Sequence, residues 1–160
     1  MRIKPTRSAS LRVRLKRVPL GGAESQGVKM DENAQIAADF VRMARADWES
    51  GMASSVPYSI CFHAQQAAEK YLKAFLKFHG QPVPKSHDIR DLITHCAEID
   101  SSFRVLLGQA DVLQLFGVEI RYAPSKEEAE EKCSQAWAAM TAIFEVVRQK
   151  LPDDVVSLEQ

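Results

Sequence analysis

Side chains that can handle phosphate chemistry occur in three separate stretches of the sequence. In chain order they are Glu69, Lys70, Lys73, His87, Arg121 and Tyr122. Lysine, arginine and protonated histidine bind phosphate through charge-assisted hydrogen bonds. Histidine can also transfer protons near neutral pH. These residue types therefore favour phosphate binding or acid–base chemistry, provided that the fold brings them together.

Each of these residues also has a structural interpretation. Glu69 and Lys73 are spaced i, i+4 on a predicted helix, so they form either an ion pair or part of a ligand site. His87 follows a predicted helix cap, where it packs locally or contacts a phosphate at the helix N-terminus. Arg121, near a helix end, satisfies terminal carbonyls or recognises phosphate. Tyr122 can be an aromatic residue at the edge of the core.

Several common kinds of site are missing from the sequence. There is no glycine-rich phosphate loop, no H-E-x-x-H motif and no E-x-x-H pair of the type found in di-iron bundles. The three cysteines, Cys61, Cys96 and Cys133, are widely spaced and odd in number. They are predicted to be small core residues rather than a disulfide framework or a zinc site, which favours a cytoplasmic location. No cofactor and no metal site are predicted.

The formal net charge of zero conceals an asymmetry between two parts of the chain. Residues 1–30 hold eight of the 21 basic residues and one of the 21 acidic ones, leaving 13 basic and 20 acidic residues in 31–160. The acidic part does not resemble a general nucleic-acid binder, because duplex binding needs a basic face. The basic part is a targeting peptide, an arm that contacts RNA or a partner, or a disordered extension ahead of a start at Met30.

Apolar periodicity after Met30 predicts helices only. The first covers residues 34–50 and ends at Gly51. The second begins at Pro57 and ends at Gly80. Its predicted buried face consists of Ala64, Ala67, Ala68, Tyr71, Leu72, Phe75 and Leu76. The residues predicted to lie largely outside that face are Gln65, Gln66, Glu69, Lys70, Lys73 and Lys77.

Three more helices follow in the predicted domain. Ser86 is predicted to cap the third, the fourth covers about residues 102–120, and Ser125 to Glu128 form a predicted capping box for the fifth. Short connections between five helices favour an all-α, antiparallel bundle of four to five helices. The predicted divisions are a basic extension at 1–30, the bundle at 31–155 and a short tail at 156–160.

Three motifs in this helical background resemble a known family. They are A-Q-Q-A-A-E-K-Y-L-K-A at residues 64–74, S-H-D-I at residues 86–89 and R-Y-A-P at residues 121–124. In this order, they resemble the HEPN (higher eukaryotes and prokaryotes nucleotide-binding) domain over about residues 34–150. The resemblance implies a helical bundle that forms homodimers. It also implies a minimal nucleotidyltransferase as partner, often as a toxin–antitoxin pair.

In the family that the chain resembles, the active members are metal-independent ribonucleases with an R-x(4–6)-H signature. Arg121 matches the arginine, but Lys126, Glu127 and Glu128 occupy the positions expected for histidine, and no histidine follows His95. The resemblance to the nucleotidyltransferase-associated branch therefore implies a non-catalytic nucleotide-binding or interaction module, although enzymatic activity stays open.

In that interpretation, a small basic pocket binds nucleotide or phosphate. Its residues are Lys70, Lys73, His87, Arg121 and Tyr122. The alternative is a ribonuclease toxin in which Arg121 acts with His87 as a substitute base.

Overall fold

The computed structural model describes residues 30–119 and 122–157, and within these ranges the regular elements are all helical. They are α1 (Glu32–Ala53), α2 (Pro57–Phe78), α3 (Ile89–Ile99), a 3₁₀ helix (Ser101–Leu106), α4 (Leu107–Glu119), α5 (Lys126–Arg148) and α6 (Asp153–Val156). The predicted all-α class is confirmed. No helix among the described residues is long and apolar enough to cross a membrane. The basic segment 1–29 lies outside the described residues.

Helix α2 lies at the centre of the bundle and packs against α1, α3, α4 and α5. Its small residues Ala64, Ala67 and Ala68 are completely buried, which lets neighbouring helices approach closely. Tyr71 and Phe75 are buried on the same helix, and the Phe75 ring lies 4.5 Å from that of Phe103 in the 3₁₀ helix. The predicted apolar face of α2 is therefore the face that forms the core.

Gly51 does not end the first helix, contrary to the sequence prediction. Helix α1 continues to Ala53, and Gly51 is buried inside it. A Cβ atom at this position would lie 2.6 Å from Trp137 of α5 and 3.2 Å from the Cβ atom of His63. Gly51 is thus required by close packing between helices rather than by a helix stop.

The caps of α3 and α5 differ in how well they were predicted. Asp88, not Ser86, caps α3, because its carboxylate accepts hydrogen bonds from the Arg90 and Asp91 amides. Ser86 Oγ instead accepts from the Asp88 amide, one step earlier in the chain. Ser125 does cap α5, accepting from the Glu128 amide at 3.1 Å.

Two further features were absent from the sequence prediction. The predicted fourth helix is divided into the 3₁₀ helix and α4, and a short α6 follows α5. Val155 of α6 is fully buried, and α6 packs against α1.

At the turn after α3, Asp100 accepts a 2.5 Å hydrogen bond from Lys150. Hydrogen bonds from Lys150 and Ser102 hold the pKa of the Asp100 carboxyl well below its usual range.

We expect Gly51→Ala to destabilise the protein by about 1–3 kcal/mol, the usual cost of overpacking a core. The Trp137 ring that the new methyl group meets is held edge-to-face against Trp48 at 5.5 Å, so it cannot move aside freely. The matched control is Gly108→Ala in α4, where a Cβ atom meets nothing within 4 Å. This control should be neutral or stabilising by up to about 1 kcal/mol. Urea unfolding followed by far-UV circular dichroism measures both, and equal effects would contradict the packing argument.

Candidate functional site

A buried ion pair forms the base of the candidate site. Lys73 Nζ lies 2.7 Å from Glu69 Oε1, one helical turn away on α2. Glu69 is 4% exposed and Lys73 is 8% exposed, although the apolar pattern placed both residues outside the buried face. Charges removed from water need a partner of opposite sign. Here Glu69 and Lys73 are partners of each other.

His87 connects this pair to the surface. Its Nδ1 lies 3.1 Å from both carboxylate oxygens of Glu69, while its side chain is 78% exposed. A carboxylate only accepts hydrogen bonds, so the contact favours the tautomer with the proton on Nδ1. In the neutral ring, Nε2 then carries no proton. A neutral His87 can then accept a proton at Nε2, and a protonated His87 can donate there to an anion.

Lys70 belongs to a different cluster. Its ammonium group contacts Asp47 Oδ2 of α1, and His63 Nδ1 lies 2.9 Å from the other oxygen of the same carboxylate. These three side chains are largely buried and join α1 to α2. Asp47 and His63 were not predicted from the sequence as interacting residues. The one available signal was the seven-residue spacing of His63 and Lys70, which places them on the same side of α2.

The third predicted stretch is only partly described. Arg121 lies outside the described residues, so its position relative to His87 stays a prediction. Tyr122 is 79% exposed in the connection between α4 and α5, which removes the interpretation as an aromatic residue at the edge of the core. The described part of the chain contains no cluster of three or more His, Cys, Asp or Glu residues that could hold a metal ion.

Comparisons with known proteins agree with this architecture. The sequence matches the HEPN domain over residues 30–150, so the chain belongs to the HEPN domain family. The crystal structure of TT1696 from Thermus thermophilus is similar, with 27% sequence identity and a TM-score of 0.60. That similarity covers 72% of this chain and 98% of the other. Comparison with curated proteins gives no significant match.

We expect Lys73→Met to destabilise the protein by roughly 3–5 kcal/mol, because it leaves the Glu69 carboxylate buried without its ammonium partner. The double variant Glu69→Leu/Lys73→Met should cost clearly less than the sum of the two single variants, since neither charge is then left alone. Urea unfolding of the four proteins gives this comparison.

The control is the exposed pair Arg90–Asp111, whose side chains are 53% and 62% exposed. Arg90→Ala should cost about 1 kcal/mol or less. Additive effects of Glu69→Leu and Lys73→Met would show that the two residues are not energetically coupled.

Proposed function

We propose that this HEPN protein is a non-catalytic module that binds the phosphate groups of a nucleotide and partners a minimal nucleotidyltransferase, as in toxin–antitoxin pairs. The proposal places the ligand beside the exposed ring of His87. Arg121 and Tyr122, from the connection that follows α4, complete the binding surface. Gene order gives the first test of the partnership. We expect a reading frame for a nucleotidyltransferase to lie beside the gene of this chain.

The observation that carries the ligand proposal is the fixed position of an exposed imidazole above a buried ion pair. Glu69 orients His87 from below through two 3.1 Å contacts, and Lys73 compensates the carboxylate charge. The protonated ring can therefore donate from Nε2 to a phosphate oxygen without a large loss of side-chain freedom. In this arrangement Lys73 supports His87 through Glu69, whereas the charge of Lys70 is compensated by Asp47 in a different cluster.

The non-catalytic part of the proposal rests on the residues that follow Arg121. The first turn of α5 contains Lys126, Glu127 and Glu128, where active family members are expected to have a histidine. Without the histidine, the proton transfers of the family's ribonuclease chemistry have no acid or base at that position.

A ribonuclease toxin is the second candidate, and the Glu69–His87 contact is the observation in its favour. A carboxylate that orients an imidazole is the arrangement used by enzymes that need a histidine base in a fixed tautomer. In this candidate, Nε2 of His87 takes the proton from a ribose 2′-hydroxyl, and Arg121 stabilises the phosphate charge. The two candidates differ in one measurable property, which is cleavage of RNA.

For the preferred function, we expect adenosine triphosphate to bind the full chain and to raise its thermal midpoint by linkage. Arg121→Ala and His87→Ala should each weaken binding by about 1.5–3 kcal/mol, the range for a charge-assisted hydrogen bond. Isothermal titration calorimetry gives the affinities. Arg42→Ala is the control, because Arg42 pairs with Asp39 on the exposed face of α1 and should leave binding unchanged.

Incubation with single-stranded RNA separates the two candidates. We expect RNA to stay intact with the wild-type protein. Cleavage that is lost in both His87→Ala and Arg121→Ala would replace the preferred function with the ribonuclease. No binding of adenosine triphosphate at millimolar concentration, with RNA intact, would reduce the proposal to a protein-interaction module.

Exposed apolar side chains around the turn between α1 and α2 support an interaction role. Val56 is 56% exposed, Phe62 44% and Tyr58 38%. The rings of Tyr58 and Phe62 are stacked, with centroids 6.5 Å apart and an interplanar angle of 27°. Aromatic residues are enriched in protein–protein interfaces, so we assign this surface to the homodimer.

We expect the full chain to be a dimer at tens of micromolar, where specific interfaces of standard size persist. Phe62→Asp should shift it to a monomer, because the substitution places a charge in the apolar surface. Val105→Asp is the matched control, since Val105 is 74% exposed in the 3₁₀ helix, outside this surface. Light scattering coupled to size exclusion reports the mass. A wild-type monomer, or a Phe62→Asp dimer, would contradict the assignment.

A further inference from the structure

Two buried cysteines meet across the interface between α2 and α5. Cys61 Sγ lies 3.7 Å from Cys133 Sγ, and Cys133 Sγ lies 3.2 Å from the carbonyl oxygen of Pro57. The residues are 2% and 6% exposed, and both thiols are free. The third cysteine, Cys96, contacts the carbonyl oxygen of Leu72 instead. The proposed nucleotide site uses none of these thiols.

The two cysteines differ in their access from solvent. Cys133 lines an open cavity of about 460 Å³ together with Gly51, Met52, Ile60 and Trp137, and Cys61 is not among the lining residues. A cavity of this size admits a small neutral molecule the size of a few waters. A reagent that enters it therefore reaches Cys133 before Cys61.

The contact between the thiols also favours Cys133 as the one that reacts first. Burial raises the pKa of both thiols, to about 12 for Cys61. The Cys61 thiol donates a hydrogen bond to the Cys133 sulfur, which lowers the pKa of Cys133 and partly offsets that burial. The pKa of Cys133 stays above its usual value, but since the thiolate is the nucleophile, the contact makes Cys133 the better starting point of the two.

We propose that Cys133 is a peroxide-reactive residue and that it forms an intramolecular disulfide with Cys61, joining α2 to α5. In the first step the Cys133 thiolate attacks hydrogen peroxide, the O–O bond breaks, and Cys133 becomes a sulfenic acid as hydroxide leaves and takes up the thiol proton to form water. In the second step the Cys61 thiolate attacks the sulfenic sulfur, the S–O bond breaks, and a second water leaves. Two thiols are oxidised and one peroxide is reduced.

The disulfide requires the two sulfur atoms to approach from 3.7 Å to about 2.05 Å, the length of an S–S bond. The bond would close a loop between residues 72 positions apart, which restricts the unfolded chain and stabilises the fold. A thiol reductant reverses the reaction by exchange.

The test uses the full-length native protein and hydrogen peroxide as the reagent. We expect two of the three thiols to be lost, together with the mass of two hydrogen atoms. A cross-linked peptide should contain Cys61 and Cys133. The thermal midpoint should rise by about 5 °C or more and return to its starting value with reductant. If all three thiols persist after peroxide treatment of the native protein, the proposal is wrong.

Single substitutions identify the order of the steps. In Cys61→Ala the reaction should stop at a sulfenic acid on Cys133, which dimedone traps. In Cys133→Ala peroxide should leave Cys61 reduced over the same time. Cys96→Ala is the control and should form the disulfide like the wild type. A cross-link that contains Cys96, or a dimedone adduct on Cys61 in Cys133→Ala, would contradict the assignment even if the protein is oxidised.

Discussion

A carboxylate and an ammonium group that are buried inside a helical bundle have to compensate each other's charge, and α2 carries both. Glu69 and Lys73 are the most deeply buried charged residues in the described part of the chain. Their pairing lets a helix that is in contact with four others keep a polar stripe at its centre. The same carboxylate then fixes His87 in the connection to α3. One buried interaction thus links the core of the bundle to the surface where we place the ligand.

The HEPN bundle could be recognised from sequence because its main signals are periodic or local. The alanine-rich face of α2, the proline at its start and the glycine after its end follow rules that need only neighbouring residues. The same rules failed for Gly51, because the atoms that require a glycine there belong to Trp137, far away in the sequence. They also failed at the start of α3, where Ser86 and Asp88 both suit a cap and only the backbone path selects Asp88.

The site was predictable only in part for a related reason. An i, i+4 spacing suggested the Glu69–Lys73 pair, but spacing contains no information about burial. The contact of Lys70 with Asp47 depends on the relative placement of α1 and α2, and no single-helix pattern encodes it. Lys70 and Lys73 therefore looked like two members of one basic pocket, whereas each is compensated by a different carboxylate. In the proposed function, recognition of a phosphate thus depends more on His87 than the sequence suggested.

The edge-to-face contact between Trp48 and Trp137 has a spectroscopic consequence. These are the two tryptophans of the chain, and they meet at one joint between α1 and α5, with Phe144 against Trp48 on the same side. Indole emission therefore reports on this joint rather than on the whole bundle. Trp137 also lines the cavity beside Cys133, so the emission of the native protein is an optical probe of the α1–α5 contact and of the chemical state of a neighbouring sulfur.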